Sequence, residues 1–139
     1  MNSKNEWDPL KKVLVGVADH ANIPNDISVR VVNYADEKNE NVIPYGIYPQ
    51  KVIDEANEDL DNFASFLKEQ SIEVVRPKRI QTNYYNYCPR DSVIIHGDKS
   101  VVAPMSIRSR HDEWKSFEDH LENVINLGSF HSEKLYNED

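Results

Sequence analysis

The residues able to do chemistry crowd into two short stretches. Cys88-Pro-Arg-Asp91 closes a tyrosine-rich run, Tyr84-Tyr-Asn-Tyr87, and Arg108-Ser-Arg110 stands beyond an apolar hairpin. A carboxylate among guanidinium groups can form a structural salt bridge that ties the hairpin to the next helix. It can also bind an amino acid or a guanidino compound, because the planar fork pairs two-to-two with a carboxylate. Arg90, Asp91, Arg108 and Arg110 are therefore the candidate substrate-binding residues, and spacing alone does not choose between the two roles. Cys88 is the chain's one cysteine. A nucleophilic thiol needs a base and a positive environment; Arg90 is near, but local spacing brings no histidine beside it. The plain reading is an inert, half-buried thiol, so no catalytic residue is assigned. The five histidines, His20, His96, His111, His120 and His131, contain no pair at helical ligand spacing, so no metal site is expected. The four glycines, at 16, 46, 97 and 128, form neither GxGxxG nor GxxxxGK. No nucleotide loop is expected.

These residues must be positioned by a small set of elements. Val13-Leu-Val-Gly-Val17 is a continuous apolar run, as in a strand buried on both faces. Residues 19–49 are rich in Asn, Asp and Pro and read as a long loop and the most mobile internal segment, with a short strand at Val29–Val32. Val52, Ile53, Ala56, Leu60, Phe63, Ala64 and Leu67 recur at three- and four-residue spacing and predict a helix over 50–69, with Pro49 at its start. Ile72 to Val75 is a strand closed by Pro77. Ser92–His96 and Lys99–Ala103 flank Gly97-Asp98, whose leading glycine suits a II′ turn. Trp114, Phe117, Leu121, Val124 and Ile125 predict a second helix over 109–126, with Ser109 and Asp112 as a capping box and Gly128 at its end. The hairpin and this second helix are expected to form the stable heart of the fold. If the hairpin pairs about its turn, Arg90, Asp91, Arg108 and Arg110 gather at its open end.

Composition narrows the partners. The chain has 139 residues, one ordinary domain's worth. Ile and Val outnumber Leu by 25 to 7, which tilts the core toward strands. The net charge of −8 disfavours nucleic acid and anionic membranes. No apolar run approaches the roughly 20 residues that cross a bilayer, and Met1 to Glu6 has no apolar signal core. The expectation is a soluble, acidic, cytoplasmic α/β domain.

The stretch from Tyr87 to Arg110 resembles the amidinotransferase family, which includes the arginine:glycine and inosamine-phosphate enzymes. The family's parts stand in order as Pro89-Arg90-Asp91, the glycine-turn hairpin, Pro104-Met105 and Arg108-Ser109-Arg110. Glu6-Trp7-Asp8-Pro9-Leu10-Lys11-Lys12-Val13-Leu14-Val15-Gly16 is similar to the family's first strand, and Leu135-Tyr136-Asn137 resembles a later segment. The resemblance implies a pentein fold, a five-bladed α/β propeller of ββαβ units in chains well over twice this length. It implies amidino transfer from arginine to an amine through a cysteine-bound intermediate, without metal or organic cofactor. Asp91 matches an aspartate that helps hold the substrate's guanidinium. In the family's order, the nucleophilic cysteine, the catalytic histidine and a second aspartate fall beyond residue 139, and Cys88 does not match the nucleophile.

Residues 1–139 are thus expected to form a single truncated domain. It would be a partial pentein of about one and a half units, with a mixed sheet and two main helices. The function expected is that of a truncated amidinotransferase-like protein, inactive alone. The alternative is a small binding or assembly module that keeps an arginine or guanidino site or acts through oligomerisation. An active enzyme built on Cys88 is disfavoured, since transfer needs a base and more than one carboxylate. Apolar strands with missing neighbours leave edges to pair, which predicts a homodimer.

Overall fold

The structure, a computed structural model, describes residues 2–5, 7–26, 44–80 and 84–128. The expected strand at Val29–Val32, most of the 19–49 loop and the segment around Leu135 lie outside them.

The first half is a helix laid on a parallel strand pair. β1 (Lys12–Leu14) pairs with β4 (Glu73–Val75), placing Val13 opposite Val74 and Leu14 opposite Val75. Val15 extends the ladder, its N–H reaching the Val75 carbonyl at 3.0 Å. Of the expected run Val13–Val17, Val15 to Val17 are buried while Val13 and Leu14 are partly exposed, and the strand itself is only three residues long. A close backbone approach ends it. A Cβ on Gly16 would overlap the carbonyls of Asn86 and Tyr87. Between the strands lie the short antiparallel pair β2 (Asn22–Ile23) and β3 (Gly46–Ile47) and the helix α1 (Gln50–Glu69).

Helix α1 holds the boundaries that periodicity predicts. Pro49 precedes it, and its carbonyl accepts from the N–H groups of Val52 and Ile53. At the other end Ser71 takes a left-handed φ of 61°. Its N–H reaches Lys68 O at 2.9 Å, and Ile72 N–H reaches Leu67 O at 3.1 Å. That is a Schellman closure, built on serine where glycine is usual. Leu67, Ala64 and Val15 form the core, with Val13, Leu60, Ile72 and Val74 packed around them. The stripe is narrower than the sequence suggested. Val52 and Phe63, assigned to it, are about half exposed, and Phe66 beside them is 55% exposed.

The second half is a three-stranded sheet. β5 (Val93–His96) and β6 (Lys99–Val102) pair antiparallel around Gly97, which carries the positive φ of 59° at the first turn position. β7 (Val124–Asn126) adds to β6 in parallel.

β7 overturns part of the expected second helix. Instead of one α-helix over 109–126, a three-residue 3-10 turn spans Arg108–Arg110 and a longer 3-10 segment spans Glu113–His120. Phe117 breaks the latter with φ −133°, and Leu121 is extended. Ser109, expected to cap the helix, lies inside the first 3-10 turn, and Asp112 makes no side-chain cap at the head of the second, so the expected capping box is absent. The Ser116 hydroxyl lies 2.8 Å from the Glu113 carbonyl, a local bond that competes with helical pairing. The apparent helical stripe arose from a 3-10 repeat of three, Trp114 and Phe117, leading into β-branched residues that join the sheet. The largest apolar cluster lies away from the hairpin. Val102 and Phe117 are buried in this half, but Ile94 is 60% exposed and Val124 43%. The apolar core proper lies under α1.

Candidate functional site

The site begins where the Tyr84–Tyr87 turn feeds β5. Cys88 N–H donates to Tyr85 O, and Arg90 N–H to Cys88 O, each at 2.8 Å. The chain then reverses at Asp91, whose φ of 69° is left-handed. Aspartate tolerates this region better than most residues. Ser92, buried, resumes the strand, and its carbonyl accepts from Ala103 N–H across the hairpin.

Arg110 ties this reversal down from below. Its Nε donates to Glu113 Oε2 at 2.6 Å and its Nη2 to Glu113 Oε1 at 2.9 Å, a two-to-two pairing. Nη2 also donates to the Arg90 carbonyl at 2.5 Å, and Nη1 lies 3.5 Å from Asp91 Oδ2. The guanidinium sits over the Tyr85 ring, 5.7 Å from its centroid, within cation–π reach. Glu113 is 3% exposed, and Ser92 Oγ donates to its Oε1 at 3.2 Å. Burial pushes the Glu113 carboxyl up, against the opposing pull of Arg110 and Ser92, while the bond to Glu113 holds the Arg110 guanidinium above its ordinary value.

Asp91 is held differently. Its side chain is 59% exposed and its ion pairs are long, 3.5 Å to Arg110 and 3.4 Å to Arg90 Nε. Of the expected gathering, Arg90, Asp91 and Arg110 lie together. Arg108 lines a cavity of about 480 Å³ with Pro24, Asn25, Asp26, Tyr84 and Ser109. Cys88 is half-buried in the turn. Among the described residues no group of three or more His, Cys, Asp or Glu side chains could hold a metal.

A buried polar web anchors the site to the first half. Asn86 accepts from Val17 N–H through its backbone carbonyl at 2.9 Å and donates from Nδ2 to Lys78 O at 3.1 Å. Its Oδ1 lies 3.0 Å from Ser116 Oγ. Beside it, Tyr87 has its phenol pushed up to about 12, mainly by burial.

No family model matches the chain. Inosamine-phosphate amidinotransferase 1 of Streptomyces griseus is 37% identical over 139 residues, which take in 90% of this chain and 40% of that protein. The solved structure of inosamine-phosphate amidinotransferase from the same organism matches with a TM-score of 0.82 at 32% identity, over 90% of this chain and 42% of that one. The chain's homologues are amidinotransferases. Mitochondrial glycine amidinotransferase of Xenopus tropicalis is 26% identical over 91% of this chain and 33% of its own length. An amidinotransferase of the saxitoxin biosynthetic pathway, from Microseira wollei, matches in structure with a TM-score of 0.71 at 26% identity, over 90% of this chain and 41% of that one. The chain spans about 40% of the length of these inosamine-phosphate relatives, as the N-terminal part of one would. Its structural neighbours are amidinotransferases, and the α/β character seen here is a mixture of parallel and antiparallel strands with helical elements. Among the described residues no helix is long and apolar enough to cross a membrane.

Glu113, Ser92, Asn86 and Ser116 were not singled out from the sequence. Glu113 had one signal, an acid three residues after Arg110, the spacing of a helical ion pair. The serines and Asn86 had none, since their partners lie 21 and 30 residues away in sequence.

Proposed function

We propose that this chain is a partial amidinotransferase-like protein that holds a guanidino ligand at Asp91 and transfers nothing by itself. The observation that supports it is the division of labour between two carboxylates. Glu113 takes the Arg110 fork at 2.6 and 2.9 Å, and Asp91 keeps long ion pairs and a largely exposed side chain. Glu113 also offsets the Arg110 charge, so an incoming guanidinium has the exposed Arg90, 3.4 Å from Asp91, as its competitor for that carboxylate. An arginine side chain can then lay its fork on the Asp91 carboxylate.

Transfer is a different demand. It needs a thiolate, a base and carboxylates that localise the guanidinium. Cys88 precedes Pro89-Arg90-Asp91, and Asp91 is the one carboxylate matched to the family. Calorimetric titration with arginine should give millimolar or tighter binding that is lost in Asp91→Asn. Mass spectra after incubation with arginine and glycine should show no amidino adduct on Cys88 and no guanidinoacetate. Absence of heat in the unmodified chain overturns the binding half, and an adduct overturns the inactive half.

One observation favours a second reading, an assembly module. Ile94, Val101 and Ile125 lie side by side across β5, β6 and β7, and the outer two are 60% and 42% exposed. Such a row can pair with a second copy. Sedimentation equilibrium at micromolar concentration should then show a dimer that Ile94→Lys dissociates; a 16.1 kDa species in the unmodified chain removes this reading.

A further inference from the structure

Glu113 is buried away from the surface where a ligand would sit, yet its contacts converge on the Asp91 reversal. Its two oxygens fix the Arg110 guanidinium in plane, and its Oε1 accepts from the hydroxyl of Ser92, the residue after Asp91. The same guanidinium grips the carbonyl of Arg90, the residue before Asp91. Asp91 is thus clamped from both chain neighbours, one through Arg110 and one through Ser92, while its own carboxylate is left nearly unclamped. The residue so held has a left-handed backbone, a conformation that persists in a non-glycine residue where the surroundings over-determine it.

A purely structural ion pair has no need of this arrangement. It would be satisfied by the fork alone, without the third and fourth bonds to the residues on either side of Asp91. We propose that Glu113 is a positioning residue: through Arg110 and Ser92 it sets the backbone of Arg90–Ser92 and so aims the Asp91 carboxylate at a guanidino ligand. This rests on the ligand reading given above and adds to it the device that orients the carboxylate. Displacement of a binding group by about 1 Å can cost a hundredfold where geometry matters, so loss of the clamp is expected to be felt at Asp91.

The test is amide and arginine side-chain NMR on the full chain, with Glu113→Gln and Ser92→Ala beside it. Glutamine keeps the shape and one acceptor but turns an N–H₂ toward Arg110, setting donor against donor. The proposal expects a resolved, slowly exchanging Arg110 Nε–H signal in the unmodified chain. In Glu113→Gln that signal should be lost, the Arg90, Asp91 and Ser92 amides should move, and the α1 amides should stay in place. Ser92→Ala, a smaller change that retains the fork, should move the Asp91 amide while keeping the Arg110 signal. Glu113→Asp should restore part of the original pattern. Arginine affinity should fall about tenfold in Glu113→Gln and less in Ser92→Ala. If the unmodified chain binds no arginine but the amides respond in this way, the ligand reading fails and the clamp stands. If Asp91's amide is unmoved in both folded variants, the clamp is overturned, whatever arginine does. Should Glu113→Gln not fold, Glu113→Asp decides: Arg90, Asp91 and Ser92 amides all unmoved in it, with the Arg110 signal weakened, overturn the clamp.

Discussion

The unit of β1, α1 and β4 and the sheet of β5 to β7 with its Glu113 turn are held together by different forces. In the first, Val15, Ala64 and Leu67 meet in a buried apolar cluster bordered by Val13, Leu60, Ile72 and Val74. Burial of this kind is non-directional, and it tolerates small shifts. In the second, the largest fully buried side chains after Val102 are Asn86, Ser92, Ser100 and Ser116, and a buried Glu113 is paired with Arg110. Hydrogen bonds and charge pairing fix directions as well as distances. The contrast shows where geometric definition is concentrated in this molecule. It lies around Asp91, not under the helix.

The sharpest way to break the contrast is Arg110→Ala. It strips buried Glu113 of its fork and should cost about 3–5 kcal/mol in chemical denaturation, the usual loss when one partner of a buried pair is removed. The pH dependence has a definite sign. Burial already raises the Glu113 carboxyl above its ordinary 4.5. Without the guanidinium the Ser92 hydroxyl is left to oppose that burial, so a proton is favoured in the folded state over a wider range. A raised acid contributes its stability below the unfolded value and loses it as pH climbs through the folded one. The deficit of Arg110→Ala should therefore be smallest below pH 4.5 and deepen above it. A deficit independent of pH would mean that Glu113 is not the group left uncompensated.

On the other side of the comparison, Leu67→Ala should cost about 2–5 kcal/mol with no such pH dependence, because it leaves a cavity and not a charge. Phe63→Ala, only four residues earlier but 51% exposed, should change stability by less than about 0.5 kcal/mol. Equal losses at 63 and 67 would show the helix turned on its core.

That pair also marks what the sequence could and could not reveal. Helix α1 was legible in its boundaries because twenty residues repeat one period and a proline precedes it. Its buried face was read too wide, since Val52 and Phe63 satisfy the same period without facing the core. The hairpin was legible from Gly97 and its apolar flanks. The segment after it was not. Trp114, Phe117, Leu121 and Val124 fit a helical repeat, but Phe117 leaves helical geometry and Val124 joins a strand whose partner, Ser100, is distant in sequence. Pairing with a remote strand has no local signature. Asp91, Arg90 and Arg110 were found because charged residues clustered near a hairpin of readable register. The burial of Glu113 has no such signal.

The smallest effect expected is a gain. Ser71 holds a left-handed φ of 61° at the end of α1, a conformation that costs an L-residue about 1 kcal/mol relative to glycine. Ser71→Gly should raise the denaturation midpoint without disturbing the site, sharpening the separation of the two regions. A loss would mean that the Ser71 side chain contributes more than its backbone strain removes.

Whether arginine acts at Asp91 is the central question. Titrating it into the isotopically labelled chain and tracking every backbone amide is the decisive measurement. The shifts should concentrate on Arg90, Asp91, Ser92 and Arg110, saturate at millimolar arginine or below, and vanish in Asp91→Asn while α1 and the β1–β4 pair stay silent. Shifts centred on α1, or a response that survives Asp91→Asn, would contradict a guanidino site at Asp91.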